Sequence, residues 1–234
     1  MVLRSLFLAV CLACVPVASA DDPPFTVSKI SDKQAGLEAT VFTFGPEQNV
    51  GFGILDVPNK VEADNIAMRF DAKRHSLMIN GGYFDLQFEP DCYCKIDGRV
   101  LNAKEDPKRS GFVAIDKAGK ISLLARGETY SKFPSVLQSG PYVIDPGGKV
   151  GIRSKSGRRA RRTLIGMTTD GRLVILITEP IYLVDLANAV KKSLPKLERL
   201  LNLDGGPSTG VIARGVKVVN RMPVRNYLYK KAGK

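Results

Sequence analysis

The sequence contains no tryptophan and a single histidine, His75. One histidine excludes a His-based metal cluster, and none follows the serines late in the chain to serve as their base. His75 itself reads as a partly buried residue at the start of a short strand. Cysteine is nearly as scarce. Cys11 and Cys14 fall in the N-terminal leader, which leaves Cys92 and Cys94. Two thiols do not make a zinc site, and a C-x-C spacing is too tight for ordinary disulfide geometry. In an oxidising compartment the pair is expected as a strained local staple on a loop or as a link between chains, the staple being preferred. No metal and no cofactor are expected.

Long apolar runs are confined to the first twenty residues. Arg4 gives a positive start, residues 6–17 an apolar stretch, and Ala18-Ser19-Ala20 an A-x-A cleavage site before Asp21. This is the pattern of a secretory signal peptide, too short for a permanent membrane span. The expected organisation is a signal over residues 1–20 and one domain over 21–234, secreted or periplasmic, with no stable membrane insertion. With 44% hydrophobic residues and no low-complexity tract, the remainder is expected to be globular.

Charge is strongly one-sided. The net +12 becomes +11 once the leader and its Arg4 are removed. An exported basic protein is drawn to polyanions such as phosphate-bearing polysaccharide. The peak lies at Arg153, Lys155, Arg158, Arg159, Arg161 and Arg162, most of which reads as a solvated loop. No aromatics are interleaved there, and export removes the chain from cellular nucleic acid, so that partner is excluded.

The rest reads as strands and hairpins with few helices. Strands are expected over residues 37–44, 50–57, 76–80, 200–203 and 211–219, and helices over 61–72 and 184–194. Asp97-Gly98, residues 117–120, Gly147-Gly148 and Asp170-Gly171 mark hairpins. The expected fold is α+β, a single domain on a large mixed or antiparallel β-sheet.

Two segments share one design, an apolar strand that breaks into paired glycines beside a carboxylate: 79–85 (I-N-G-G-Y-F-D) and 200–211 (L-L-N-L-D-G-G-P-S-T-G-V). A carboxylate at a strand mouth is fixed by the core behind it and free to meet a ligand in front. Glycines there let a ligand approach the backbone, and their amides can hold anionic oxygens. Gly206-Pro207-Ser208-Thr209-Gly210 also fits the G-x-S-x-G elbow of serine hydrolases. With no histidine after Ser208 and a strand expected next, that match is accidental. A carboxylate mechanism remains, with Asp204 and Asp85 as candidates.

Five motifs then occur in register: Asn80-Gly81-Gly82-Tyr83-Phe84-Asp85; Gln138-Ser139-Gly140-Pro141; Arg162-Thr163-x-Ile165-Gly166 with Asp170-Gly171; Asp185-Leu186-Ala187; and Asn202-Leu203-Asp204-Gly205-Gly206-x-Ser208-Thr209. Together they resemble the phosphodiester glycosidase family over residues 76–211. Pro207 stands where a third glycine is common, Leu164 where a small residue is common, and Asp185 where glutamate is usual. The resemblance implies an exported hydrolase of sugar-1-phosphodiesters, with a carbohydrate phosphodiester as partner. It implies catalytic roles for Asp204, Asn80 and Asp85, and phosphate contact by Arg162. Substrate contacts would come from Gly81, Gly82, Gln138, Ser139, Gly140, Thr163, Gly205, Gly206, Ser208 and Thr209. A non-catalytic binder of phosphorylated or acidic glycans would keep many of the same residues and stands as the alternative.

Overall fold

The computed structural model describes residues 25–61, 65–154 and 157–233; the expected signal peptide lies outside them. The first strands are β1 (Thr26–Asp32), β2 (Leu37–Phe44), β3 (Phe52–Asp56), β4 (His75–Asn80), β5 (Cys94–Ile96) and β6 (Arg99–Asn102). Next come β7 (Gly111–Ile115), β8 (Ile121–Ala125), β9 (Ser135–Ser139), β10 (Tyr142–Asp145) and β11 (Lys149–Val150). The long pair β12 (Ala160–Thr168) and β13 (Leu173–Ile181) leads into helix α1 (Leu183–Ser193). The chain ends in β14 (Leu197–Asn202), β15 (Val211–Ala213), β16 (Val216–Val218) and β17 (Asn226–Lys231).

These strands form three sheets, ordered β1-β2-β13-β12-β14-β10-β11, β16-β15-β4-β17-β3 and β6-β5-β9-β7-β8. The sheets are antiparallel, as the hairpin turns require. One apolar core is shared by all three: Phe42, Ile165 and Leu201 come from the first sheet, Leu77, Ile79 and Leu228 from the second, Val113 and Leu137 from the third. The outer face of the first sheet is covered by α1, whose Leu186 and Val190 pack with Leu164 and Leu176. Alternation along β12 explains the division. Leu164 faces the helix and Ile165 the shared core, as period-two side chains must.

Several expectations are corrected. Among the described residues of the expected helix over 61–72 there is one 3-10 turn, Ile66–Met68. Its apolar residues do not share a buried face, since Val61 and Met68 are exposed while Ile66 is fully buried. Residues 211–219 are not one strand but the hairpin β15–β16, turned at Arg214-Gly215 where Gly215 takes a φ of 75°. Cys92 and Cys94 form no staple. Both are free and buried, Cys94 within the shared core, and burial pushes both thiols up to about 12.

Candidate active site

The two glycine-rich segments meet. Asn80 ends β4 and Asp204 follows β14 by two residues, and the Asn80 side chain joins them. Its Nδ2 donates to the Asp204 carbonyl at 2.8 Å. Its Oδ1 accepts from Thr163 Oγ1 at 2.6 Å and from the Gly210 amide at 3.1 Å. Asn80 and Thr163 are fully buried. One amide thus locks the first sheet to the second, and no other side chain of that size carries both a donor and an acceptor in the needed fork. Asn80 holds the site together from behind.

Beside this clamp stands Tyr83. Its hydroxyl lies 2.9 Å from the carbonyls of Gly140 and Leu203 and accepts from Asn202 Nδ2 at 2.7 Å. Burial raises its phenol well above the ordinary value, so the proton stays on as a donor. The Arg109 guanidinium carbon lies 3.4 Å from the centre of the Tyr83 ring, a cation–π contact. Gln138, completely buried, holds the loop that carries Arg109. Its side chain accepts from the Asp106 amide at 2.8 Å and donates to the Asp106 and Arg109 carbonyls at 2.9 and 3.2 Å. Arg109 is further restrained by Asp91 at 3.3 Å and Asp106 at 3.5 Å.

Asp204 is the carboxylate at the centre. Its Oδ1 accepts from the Gly205 amide at 2.8 Å, and Ser208 also hydrogen-bonds to it. Burial raises its pKa above the ordinary carboxylate value. The Ser208 and Gly205 hydrogen bonds and the charges of Arg109 and Arg158 oppose the shift without cancelling it. The loop that follows lies tight on β12. A Cβ on Gly205 would come within 2.9 Å of the Arg161 carbonyl, and Gly206 takes a φ of 63° that suits glycine.

Positive charge dominates the surroundings. Arg162 donates from Nη2 to the Arg158 carbonyl at 2.6 Å. Burial, with Arg158 close by, pulls its guanidinium below the ordinary value. Among the described residues, the buried side-chain atoms that make no hydrogen bond are Arg109 Nε, Arg162 Nε, Asn202 Oδ1 and Thr209 Oγ1. All four belong to this site or its loop. Buried donors and acceptors left unpaired are costly, although Arg109 Nε still has the Asp106 carboxylate at 3.5 Å. Arg158, Gly206, Pro207 and Thr209, but not Asp204, Asn80 or Arg162, line an open cavity of about 490 Å³.

The structure therefore brings together Asn80, Thr163, Asp204, Gly205, Ser208 and Arg162. Ser139 supports them from behind, its hydroxyl donating to the Asn202 carbonyl at 2.8 Å. Gly140 supplies a carbonyl to Tyr83 and has no room for a side chain, since a Cβ would sit 2.6 Å from the Ser110 amide. Gly81 and Gly82 spend their amides on Asn226, at 2.9 and 2.8 Å, and at Gly81 a Cβ would come within 2.1 Å of the Asn226 side chain. Gly81 permits close packing against β17. Asp85 is exposed, and its Oδ1 caps its own turn by accepting from the Glu89 amide. Tyr83, Asn202, Arg109 and Arg158 complete the arrangement. Tyr83 and Asn202 lie inside the recognised motifs, and Arg158 within the basic run. Arg109 has no sequence signal, because Glu105-Asp106-Pro107-Lys108-Arg109 looks like any solvated loop. Among the described residues no group of three or more His, Cys, Asp or Glu is placed to hold a metal.

A carboxylate on which the charges of Arg109 and Arg158 act thus stands where the packed antiparallel sheets meet. The phosphodiester glycosidase family signature matches residues 74–230, and the chain belongs to that family. The catalytic domain of zebrafish N-acetylglucosamine-1-phosphodiester alpha-N-acetylglucosaminidase, auto-inhibited by its pro-peptide, has a similar fold. It matches with a TM-score of 0.65 at 14% identity, over 91% of this chain and 85% of that one. A Synechocystis protein of undefined role matches at 0.65 and 14% identity over 92% of this chain, which spans 65% of that protein. A Burkholderia pseudomallei protein described as exported matches at 0.61 and 11% identity, over 82% of this chain and 73% of that one. A search of curated proteins finds no significant match.

Proposed function

We propose that this protein is an exported hydrolase that cleaves sugar-1-phosphodiester linkages in envelope or extracellular polysaccharide. The observation that carries the reading is the cationic surroundings of Asp204: the charges of Arg109 and Arg158 act on its carboxylate, and Arg162, whose buried Nε makes no hydrogen bond, lies against Gly205. Arg162 pairs with no carboxylate among the described residues, a partly buried cation without an anion favours an anionic ligand, and guanidinium forks match phosphate oxygens. In the reaction, water bonds to the anomeric carbon as the bond from that carbon to the phosphate oxygen breaks. The phosphate leaves with the electron pair as a phosphomonoester, and the water's proton passes to the Asp204 carboxylate. A phosphate leaving group needs little protonation, so one carboxylate in the site suffices where ordinary glycosidases use two.

Asp204 then acts as base beside the cationic sugar, Arg162 and Arg109 neutralise phosphate, and Ser208 and Thr209 hold sugar hydroxyls. Asn80, Gln138 and Ser139 act as positioning residues. Asp85 keeps the turn after Tyr83 in shape. With Asp85 exposed, Asp204 is the one carboxylate of the recognised motifs left at the site, which is the observation that favours a non-catalytic binder. Purified protein incubated with a glycosyl phosphodiester decides between them. Release of free reducing sugar and phosphomonoester is expected, and tight binding with no product would establish the binder.

A further inference from the structure

The basic run and the loop after Asp204 enclose a cavity of their own. Arg158, Arg159 and Arg161 reach it from the start of β12 and the residues before it, Glu179 and Pro180 from the end of β13. Gly206, Pro207 and Thr209 form another wall, and Arg221 joins from the segment after β16. The space is about 490 Å³, ample for a small anion. Asp204, Asn80 and Arg162 do not line it.

Local contacts hold the walls in place. The Arg221 amide donates to the Pro207 carbonyl at 2.7 Å, which ties the chain after β16 to the loop. Arg159 Nε donates to the Pro180 carbonyl at 2.8 Å. Pro180 and Pro207 stiffen the backbone at these two anchor points, because the ring fixes φ.

The charge inside is unbalanced. Four arginines stand against one carboxylate, Glu179, and Arg161 takes it at 3.1 Å. Arg158, Arg159 and Arg221 are exposed and form no salt bridge among the described residues. The Pro180 contact uses Nε of Arg159 and leaves its terminal nitrogens to a ligand. Thr209, in the wall beside Pro207, is buried and its hydroxyl makes no hydrogen bond. Cations gathered in one cavity repel each other until an anion stands among them.

We propose that this cavity is a binding site for a phosphomonoester group, held by Arg158, Arg159 and Arg221. Such a group carries about −1.5 to −2 at neutral pH, which a carboxylate or a phosphodiester, with one charge each, does not match. Guanidinium forks suit its oxygens. Free phosphate and the phosphate end of a sugar phosphate share this chemistry. The inference goes beyond the hydrolase reading, since neither Arg109 nor Arg162, which that reading places on phosphate, lines the cavity.

The test is a nuclear magnetic resonance titration of the full, nitrogen-labelled protein with inorganic phosphate and, separately, with a hexose phosphate monoester. Saturable shifts are expected at the Arg221 amide, the Gly206 amide and the Arg159 Nε–H. Arg221→Gln should weaken the binding read at Arg159 about two- to fivefold, the range for one exposed ion pair. Arg159→Gln added to it should multiply the loss, read at Gly206. Both variants should keep the wild-type response of the Gly205 amide beside Asp204. Tighter binding of the hexose phosphate supports the site and assigns it to sugar phosphates; equal affinity supports it and assigns free phosphate. No saturation at the Arg221 amide, or wild-type affinity in the double variant, would overturn it. Failure of the hydrolase reading would show separately, as phosphate binding in the cavity of a protein that releases no sugar from a glycosyl phosphodiester.

Discussion

Asp204→Asn separates activity from stability. The amide keeps the size of the carboxylate and can still accept from the Gly205 amide at 2.8 Å. The Ser208 hydroxyl can rotate to accept where it had donated. What disappears is the charge. In the folded protein burial disfavours that charge more than Ser208, Gly205, Arg109 and Arg158 favour it, because the net shift is upward. A carboxyl whose folded value is raised contributes most stability below its ordinary value of 3.8. That contribution is lost as pH rises through the folded value. Above that folded value the ionised Asp204 weakens the fold, and there Asp204→Asn is expected to raise the melting temperature. Each kcal/mol gained amounts to about 2–4 °C in a domain of this size. Turnover should fall at least ~10²-fold, the lower range for a positioned base. Inorganic phosphate should bind more tightly, since the arginines lose their internal anion. Ser208→Ala should cost less activity. The assays are calorimetric melting across a pH series and release of reducing sugar from a glycosyl phosphodiester. A lower melting temperature with activity retained would refute the reasoning about both burial and chemistry.

Three further outcomes are expected. Arg162→Ala should lower kcat/KM about 10²- to 10³-fold, comparable to loss of one preorganised donor, while Arg162→Lys recovers only part because it lacks the fork; steady-state kinetics on a small phosphodiester reads both. If Asp204 is the base, the acid limb of kcat/KM against pH should lie above the ordinary carboxylate value, in the direction of its raised constant, and a limb at or below 3.8 would exclude it. Asn80→Ala strands the Thr163 hydroxyl, the Gly210 amide and the Asp204 carbonyl, each worth about 1–3 kcal/mol when buried unpaired, so denaturant midpoints should drop steeply even though no substrate contact is lost.

Much of the fold could be read from local pattern, because turn chemistry is local. The Asp97-Gly98 and Asp170-Gly171 hairpins appear where those dipeptides stand, and residues 37–44 coincide with β2. The unread strands β1, β9 and β17 depend on neighbours. β9 is buried on both faces and so has no alternation to show. β1 is an exposed edge paired only through β2. The expected helix over 61–72 failed because periodicity counts apolar residues without knowing whether a surface exists to bury them. In the site, Asp204 and Asn80 were visible as strand-end residues, but the division of labour was not. Whether Gly81 faces a ligand or Asn226, and whether Gln138 meets sugar or clamps residues 106–109, depends on contacts far away in sequence. Arg109 shows the limit most clearly, since only the folded chain lays it on Tyr83.

The Asn80 amide also bears on how the molecule comes into being. Its partners lie 83, 124 and 130 residues away in sequence, so none of these bonds can close until the first and second sheets have docked. Long-range pairings of this kind form late, after most loop-closure entropy has been overcome. A partly folded chain can hold every hairpin and still lack the arrangement around Asp204. Recovery of activity on refolding should accordingly trail recovery of strand signal, and hydrogen exchange at the Gly210 amide should report full assembly more faithfully than any single hairpin does.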